Sequence, residues 1–394
     1  MIAPVSRSAR RHDLDWLRVI AFGLLILYHV GMFYVTWDWH VKSSHASSFA
    51  EPAMALLNPW RLALLFFISG VAVRFALSKY GTLAFLRERT IRLFLPLAFG
   101  MAVVVMPQAY AELVTKGEIQ PGILAFWPRY LEIPGPFTII TPTWNHLWYL
   151  AYVLSYSLLA AVAAPLLARL QPSAERLFAA AAADASGVVL LAVLALPFVF
   201  YRALLDPVFP TTHAFGDDWA AHAHFLTIFL FGWFAAGSGG FWSAVERHWL
   251  KALVLAGLLG AAIVAARLDA DKVRSLPALH ATMQILRVAY AWLVIVALLG
   301  AARRWLDRPG PALSYLTNAM FPYYILHQTL IVWIGFAILG AGLSAPVEVA
   351  LVLTGTLAGC VVGYELVRRL GPARVLFGLP WRERSSRPAP APAA

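Results

Sequence analysis

His29, His327 and Arg18 are the side chains from which chemistry can be read, because each stands in a long apolar run. Residues 13–33 read DLDWLRVIAFGLLILYHVGMF, with Arg18 near the start and His29 deep inside. Residues 318–332 read NAMFPYYILHQTLIV and carry His327. An ionisable group in hydrocarbon is costly, so it is a functional hypothesis by default. An imidazole at depth can act as a general base or as a nucleophile that carries a group. An arginine at the membrane surface can hold an anion. Arg18 and His29 are eleven residues apart. That is about three helical turns plus about 20°, so they share one face, about 16 Å apart along the axis. Phe22 and Leu25 fall between them on that face. Cation, apolar track and imidazole suit a ligand with an anionic head and a thin reactive tail, such as an acyl-coenzyme A. The plainer alternative has Arg18 snorkelling to lipid phosphates and His29 bonding a neighbouring helix.

The elements that must position these groups are membrane helices. Of 394 residues, 61% are hydrophobic and only 13% charged, against about 25% charged in a soluble domain. Mean hydropathy is +0.70. The fold class is all-α, a polytopic transmembrane helical bundle. Ten spans are predicted, near 15–36, 53–78, 92–113, 146–168, 178–201, 219–238, 250–267, 280–301, 314–338 and 345–367. A basic leader (1–12) precedes the membrane domain (13–370), and a tail (371–394) ends in the low-complexity RPAPAPAA. The first apolar run lacks a small-residue cleavage site and reads as a span, not a signal peptide. With a cytoplasmic N-terminus, inside segments hold 20 of the 31 Lys and Arg and outside loops hold seven. That asymmetry puts both termini in the cytoplasm. It also explains the net charge of +11 without a nucleic-acid partner. The single cysteine, Cys360, rules out an intrachain disulfide and a multi-cysteine metal site.

Topology then gives depth. His29 lies about 21 Å from the inner boundary, and His327, on another outward span, lies near the same level. Pro322 should loosen that second helix. Tyr323, Tyr324 and Gln328 flank the histidine. Ser69–Gly70 allows close approach of a helix or a ligand, a packing notch being an equal reading. Arg61 and Arg287 lie in the outer parts of their spans and can neutralise an acid or snorkel outward. Arg87, Arg89 and Arg92 form a cytoplasmic cluster that can hold phosphates or merely anchor the topology. Asn145, His146 and Trp148 stand at an outer rim, suited to a sugar or simply to the aromatic belt. His222 and His224, after Asp217 and Asp218, read as a solvated rim, and no metal site is expected. No Asp or Glu sits in mid-span, which weakens a proton-coupled carrier. No Walker, Rossmann or HExxH pattern occurs.

These residues together carry a resemblance. The chain resembles the membrane acyltransferase 3 family over residues 12–370. The resemblance rests on the 13–33 run, FFISG at 66–70, RERTIRLFLPL at 87–97, NHLWYL at 145–150 and YYILHQTLIV at 323–332. DLDWLR and the later WDWH tilt it toward the glucan-modifying branch. The resemblance implies a multi-pass enzyme of the bacterial inner membrane. It implies transfer of an acyl group from a cytoplasmic acyl-CoA to a carbohydrate on the other face, and for that branch O-succinylation of osmoregulated periplasmic glucans. It maps the family's essential arginine and histidine onto Arg18 and His29, and its basic cluster onto Arg87, Arg89 and Arg92.

The expected enzyme uses succinyl-CoA or acetyl-CoA as co-substrate and no permanently bound cofactor. Its other partners are the lipid bilayer and a periplasmic glucan or another carbohydrate. His29 is the expected base or acyl carrier, with His327, Tyr324 or Ser69 orienting it or donating to the oxyanion. Arg61 or Arg287 would bind a succinyl carboxylate. Acetyl transfer to a different polysaccharide or glycolipid is the nearer alternative, and a small-anion carrier the one from another class.

Overall fold

The computed structural model describes residues 10–381. Arg7 of the leader and the RPAPAPAA end lie outside them. Regular structure is helical, with no strand among the described residues. The fifteen α-helices of those residues begin with α1 (His12–Tyr34), α2 (Glu51–Tyr80), α3 (Thr82–Phe99), α4 (Met106–Thr115) and α5 (Ile123–Tyr130). Then come α6 (Trp148–Val162), α7 (Ala164–Ala183), α8 (Val188–Leu191), α9 (Leu196–Leu204) and α10 (Trp219–Ala235). The last five are α11 (Gly239–Leu268), α12 (Ala270–Ser275), α13 (Pro277–Trp305), α14 (Pro311–Ile338) and α15 (Ala345–Val367).

Seven helical segments are long and apolar enough to cross a membrane, or eight if one bent pair counts as a span. The departures from ten regular spans have local causes. The fourth expected span bends by 87° between Asn145–Val162 and Ala164–Ala183. Pro165 occupies the first turn of α7, where it cannot supply the N–H that would continue α6. The fifth expected span, 178–201, is interrupted at 184–187. The Asp184 carboxylate accepts from Ser186 N (2.8 Å) and Val189 N (2.9 Å), and Gly187 takes a left-handed φ of 78°, open mainly to glycine. The part after this turn, Val188–Leu204, is one of two shorter apolar helical pieces, with Trp219–Ala235 the other.

Other elements set the site directly. α1 packs against α2, α13 and α14, so a side chain on its inner face meets three helices at once. α2 and α10 touch backbone to backbone. A Cβ on Gly70 would lie 1.9 Å from Phe229 O, and one on Gly232 would lie 2.0 Å from Phe67 O. The Ser69–Gly70 notch is therefore filled by a helix. Between α3 and α4 a π-helical turn (Gly100–Val104) breaks the regular ladder. Gln108 N–H bonds Val105 O, leaving Val104 O to accept Thr329 Oγ1 at 2.6 Å. The start of the tail forms a short 3-10 helix (Gly371–Phe377) against α3, with Phe377 edge-on to Phe99.

Candidate active site

α1 and α14 bring His29 and His327 into direct contact. His29 Nδ1 lies 2.8 Å from His327 Nε2. His327 is fully buried, and its Nδ1 lies 2.8 Å from Tyr324 O. A carbonyl can only accept, so His327 carries its proton on Nδ1. In the neutral ring Nε2 is then bare and accepts from His29 Nδ1–H. The partners thus assign the tautomers of both rings. His29 is left with a bare Nε2, which bonds no protein group among the described residues.

His29 lines a cavity of about 920 Å³. Leu25, Tyr324, Arg61, Arg287, Asn145 and Trp148 share that lining, as does His146. Arg61, on α2, is only 3% exposed. Its guanidinium carbon sits 3.4 Å over the Tyr28 ring. Its Nε and Nη1 are buried with no hydrogen-bond partner among the described residues. Desolvating a guanidinium without satisfying it is costly, which marks the cavity beside His29 as a place for an anion. Arg287, from α13, also has a buried Nε without a partner. Asp206 lines the cavity too but is ion-paired with Arg202.

Several expected residues have their polar atoms engaged elsewhere. Tyr324 donates its hydroxyl hydrogen to His146 O. Ser69 Oγ pairs with Tyr149 OH at 2.8 Å and does not line the cavity. Neither hydroxyl is free to serve an oxyanion. His146 is 7% exposed rather than at an open rim. Its Nε2 holds the Tyr324 and Ile325 carbonyls at 3.1 and 3.2 Å. It thereby fixes the stretch of α14 that presents His327. Phe22 is buried edge-on against Tyr324 and His327, supporting the pair from behind.

The arginines divide. Arg18 pairs with Asp15 at 2.5 Å and lies within electrostatic range of Arg89. Both have a buried Nε without a partner, and both lie in range of Tyr149, whose side chain lines the cavity. Arg87 and Arg92 instead line a separate groove of about 990 Å³, with Arg368 and Arg374. Arg89 lies about 160° from Arg87 and about 60° from Arg92 around the helix, and it does not line that groove.

Aromatic side chains line another part of the cavity. Trp39, Trp144 and Trp148 line the cavity, and Trp148 stacks on His213 at 4.2 Å. Buried Asp218 accepts from Thr212 N, His213 N and Tyr152 O–H at 3.1, 3.1 and 2.7 Å. Burial lowers the His213 ring below the ordinary histidine value, with Asp218 opposing. It therefore stacks as a neutral ring. His222 bonds Tyr156 OH (2.9 Å) and Phe215 O (2.8 Å). His224 faces Asp206 at 3.4 Å. The expected solvated rim is thus the fastening of the 205–218 loop. The sequence reading did not place His40, Gln108 and Glu112 at this site; WDWH contains His40, and nothing in the motifs pointed to the other two.

Comparison with known proteins gives the family. A family model described as an acyltransferase domain matches residues 11–365. Glucans biosynthesis protein C of Escherichia coli O6:K15:H31 is 24% identical over 143 residues, and that of strain K12 is 23% identical over the same length. The match spans about a third of the curated relatives, 36% of this chain and 36% of each of them. No solved structure matches. With the family model covering most of its length, the chain belongs to the acyltransferase 3 family of integral membrane acyltransferases.

Proposed function

We propose that the protein moves a succinyl group from cytoplasmic succinyl-CoA to hydroxyls of a periplasmic glucan, in a bacterial inner membrane with both its termini in the cytoplasm. One observation carries this reading: a bare His29 Nε2 opens into the same cavity as a buried, unsatisfied Arg61. The name of the relatives, glucans biosynthesis protein C, supports the acceptor class. Arg18 and Arg89 hold the donor's phosphates. Arg87 and Arg92, facing another groove, add only long-range charge. The acceptor enters past Trp144 and Trp148. His29 Nε2 takes the hydroxyl proton as the oxygen attacks the thioester carbon. The C–S bond then breaks, and the departing thiolate takes that proton from His29. Arg61, helped by Arg287, holds the free carboxylate of the succinyl group.

The test is label transfer by purified protein in nanodiscs, given radiolabelled succinyl-CoA or acetyl-CoA and a β-glucan. Label is expected in the glucan. Replacing Arg18 and Arg89 together by methionine is expected to raise the donor KM about 10- to 100-fold, the scale of lost charge-assisted hydrogen bonds. Passage of an intact anion across the membrane, with no labelled glucan, would favour a carrier.

A further inference from the structure

A second polar network faces the cavity outside the histidine pair, and its directions can be followed bond by bond. Thr329 donates to Val104 O at 2.6 Å, so its oxygen accepts from Gln108 Nε2 at 2.7 Å. Gln108 Oε1 therefore points the other way. It accepts from Asn145 Nδ2 and Gln328 Nε2, each at 3.0 Å. Gln328 Nε2 has one more hydrogen and directs it at His40 Nε2, 3.2 Å away. His40 consequently carries its own proton on Nδ1, where Glu112 Oε2 accepts it at 2.6 Å. Lys116 holds the other oxygen of Glu112 at 2.6 Å. A backbone carbonyl at one end and a carboxylate at the other thus fix every amide in the row.

This leaves one atom over. Both hydrogens of the Gln328 amide are used within the protein, while its Oε1 has no hydrogen-bond partner among the described residues. Gln328 lines the cavity, as do His40 and Asn145, and it is the residue after His327 in α14. An acceptor-only atom held by a fully directed network selects a ligand group that donates, and a hydroxyl is the neutral group that does so. Trp39 and Trp144 line the same cavity, and aromatic rings pack well on the apolar face of a sugar.

We propose that Gln328 Oε1 is the docking point for a hydroxyl of the acceptor sugar other than the one acylated. His40 and Glu112 act as positioning residues that hold the amide in this orientation. The inference rests on the carbohydrate-acceptor reading above and names a subsite within it. No bond is made or broken at Gln328; its part is to place the reacting hydroxyl at His29.

The test compares wild type with Gln328→Met, which keeps the side-chain volume, and with Glu112→Gln. Transfer from succinyl-CoA is followed to a β-glucoside and to its monodeoxy analogues. In Gln328→Met the acceptor KM is expected to rise about three- to tenfold, the scale of one neutral hydrogen bond. The donor KM should stay within about twofold. Glu112→Gln should shift the acceptor KM in the same direction by less. One deoxy analogue should be a poorer acceptor for wild type, yet no poorer than the parent sugar for Gln328→Met. A merely structural role would not produce that match. An unchanged acceptor KM, or a deoxy series that behaves alike on both proteins, overturns the inference and leaves the acyltransfer reading standing. Absence of transfer by wild type to any glucoside overturns both.

Discussion

Replacing His29 by alanine is expected to lower acyl transfer by about 10²- to 10⁴-fold, the range that a positioned acid–base group supplies. The effect should fall on kcat rather than on the KM of donor or acceptor, because the lost interaction is with the proton in flight. His29 is half-buried, and alanine removes its bond to His327 and its ring contacts with His327 and Tyr28. The protein should therefore still fold, as size-exclusion profile and thermal unfolding will show. His327 Nδ1 is anchored to a backbone carbonyl, so its ring is fixed and orients His29. Near-wild-type transfer by a folded His29→Ala protein would remove His29 from the chemistry.

The second large effect is on donor choice. Arg61→Met should remove the preference for succinyl over acetyl donors. A charge-assisted pair is worth about 1.5–3 kcal/mol, which is about 10- to 150-fold in kcat/KM. The loss should appear with succinyl-CoA and be small with acetyl-CoA, since only the longer acyl group presents a carboxylate. Methionine keeps a long apolar side chain over Tyr28, where the guanidinium now stacks. Competition between the two donors on one preparation measures the ratio directly. An unchanged ratio would return Arg61 to a structural role.

The histidine pair was legible because two imidazoles in apolar runs are conspicuous, and the expected topology with helix rise put them near one depth. Their contact was not legible, since it depends on how α1 rotates against α14. Arg61 illustrates the same limit. Its charge and its outer position could be read, but its burial against Tyr28 follows from the packing of α2 on α1. Tyr324 and Ser69 are chemically apt, yet backbone and tyrosine partners occupy their hydroxyls. The RERTIR motif looked like one cluster, but Arg87 and Arg92 line one groove and Arg89 does not. His40 and Glu112 are 72 residues apart, and only the tertiary fold brings them together. Among the membrane segments, the long apolar helices could be placed from hydropathy. The bend at Pro165 and the turn at Asp184–Gly187 depend on local backbone chemistry that hydropathy does not register.

The central claim is that His29 presents a bare Nε2 to the cavity, and nitrogen-15 NMR of histidine-labelled protein tests it most directly. The His29 signals are identified by their loss in His29→Ala. The account predicts a neutral ring with its proton on Nδ1 and a non-protonated Nε2. A proton on Nε2, in either a neutral or a doubly protonated ring, would contradict it, because the atom assigned to take the acceptor's proton would already hold one.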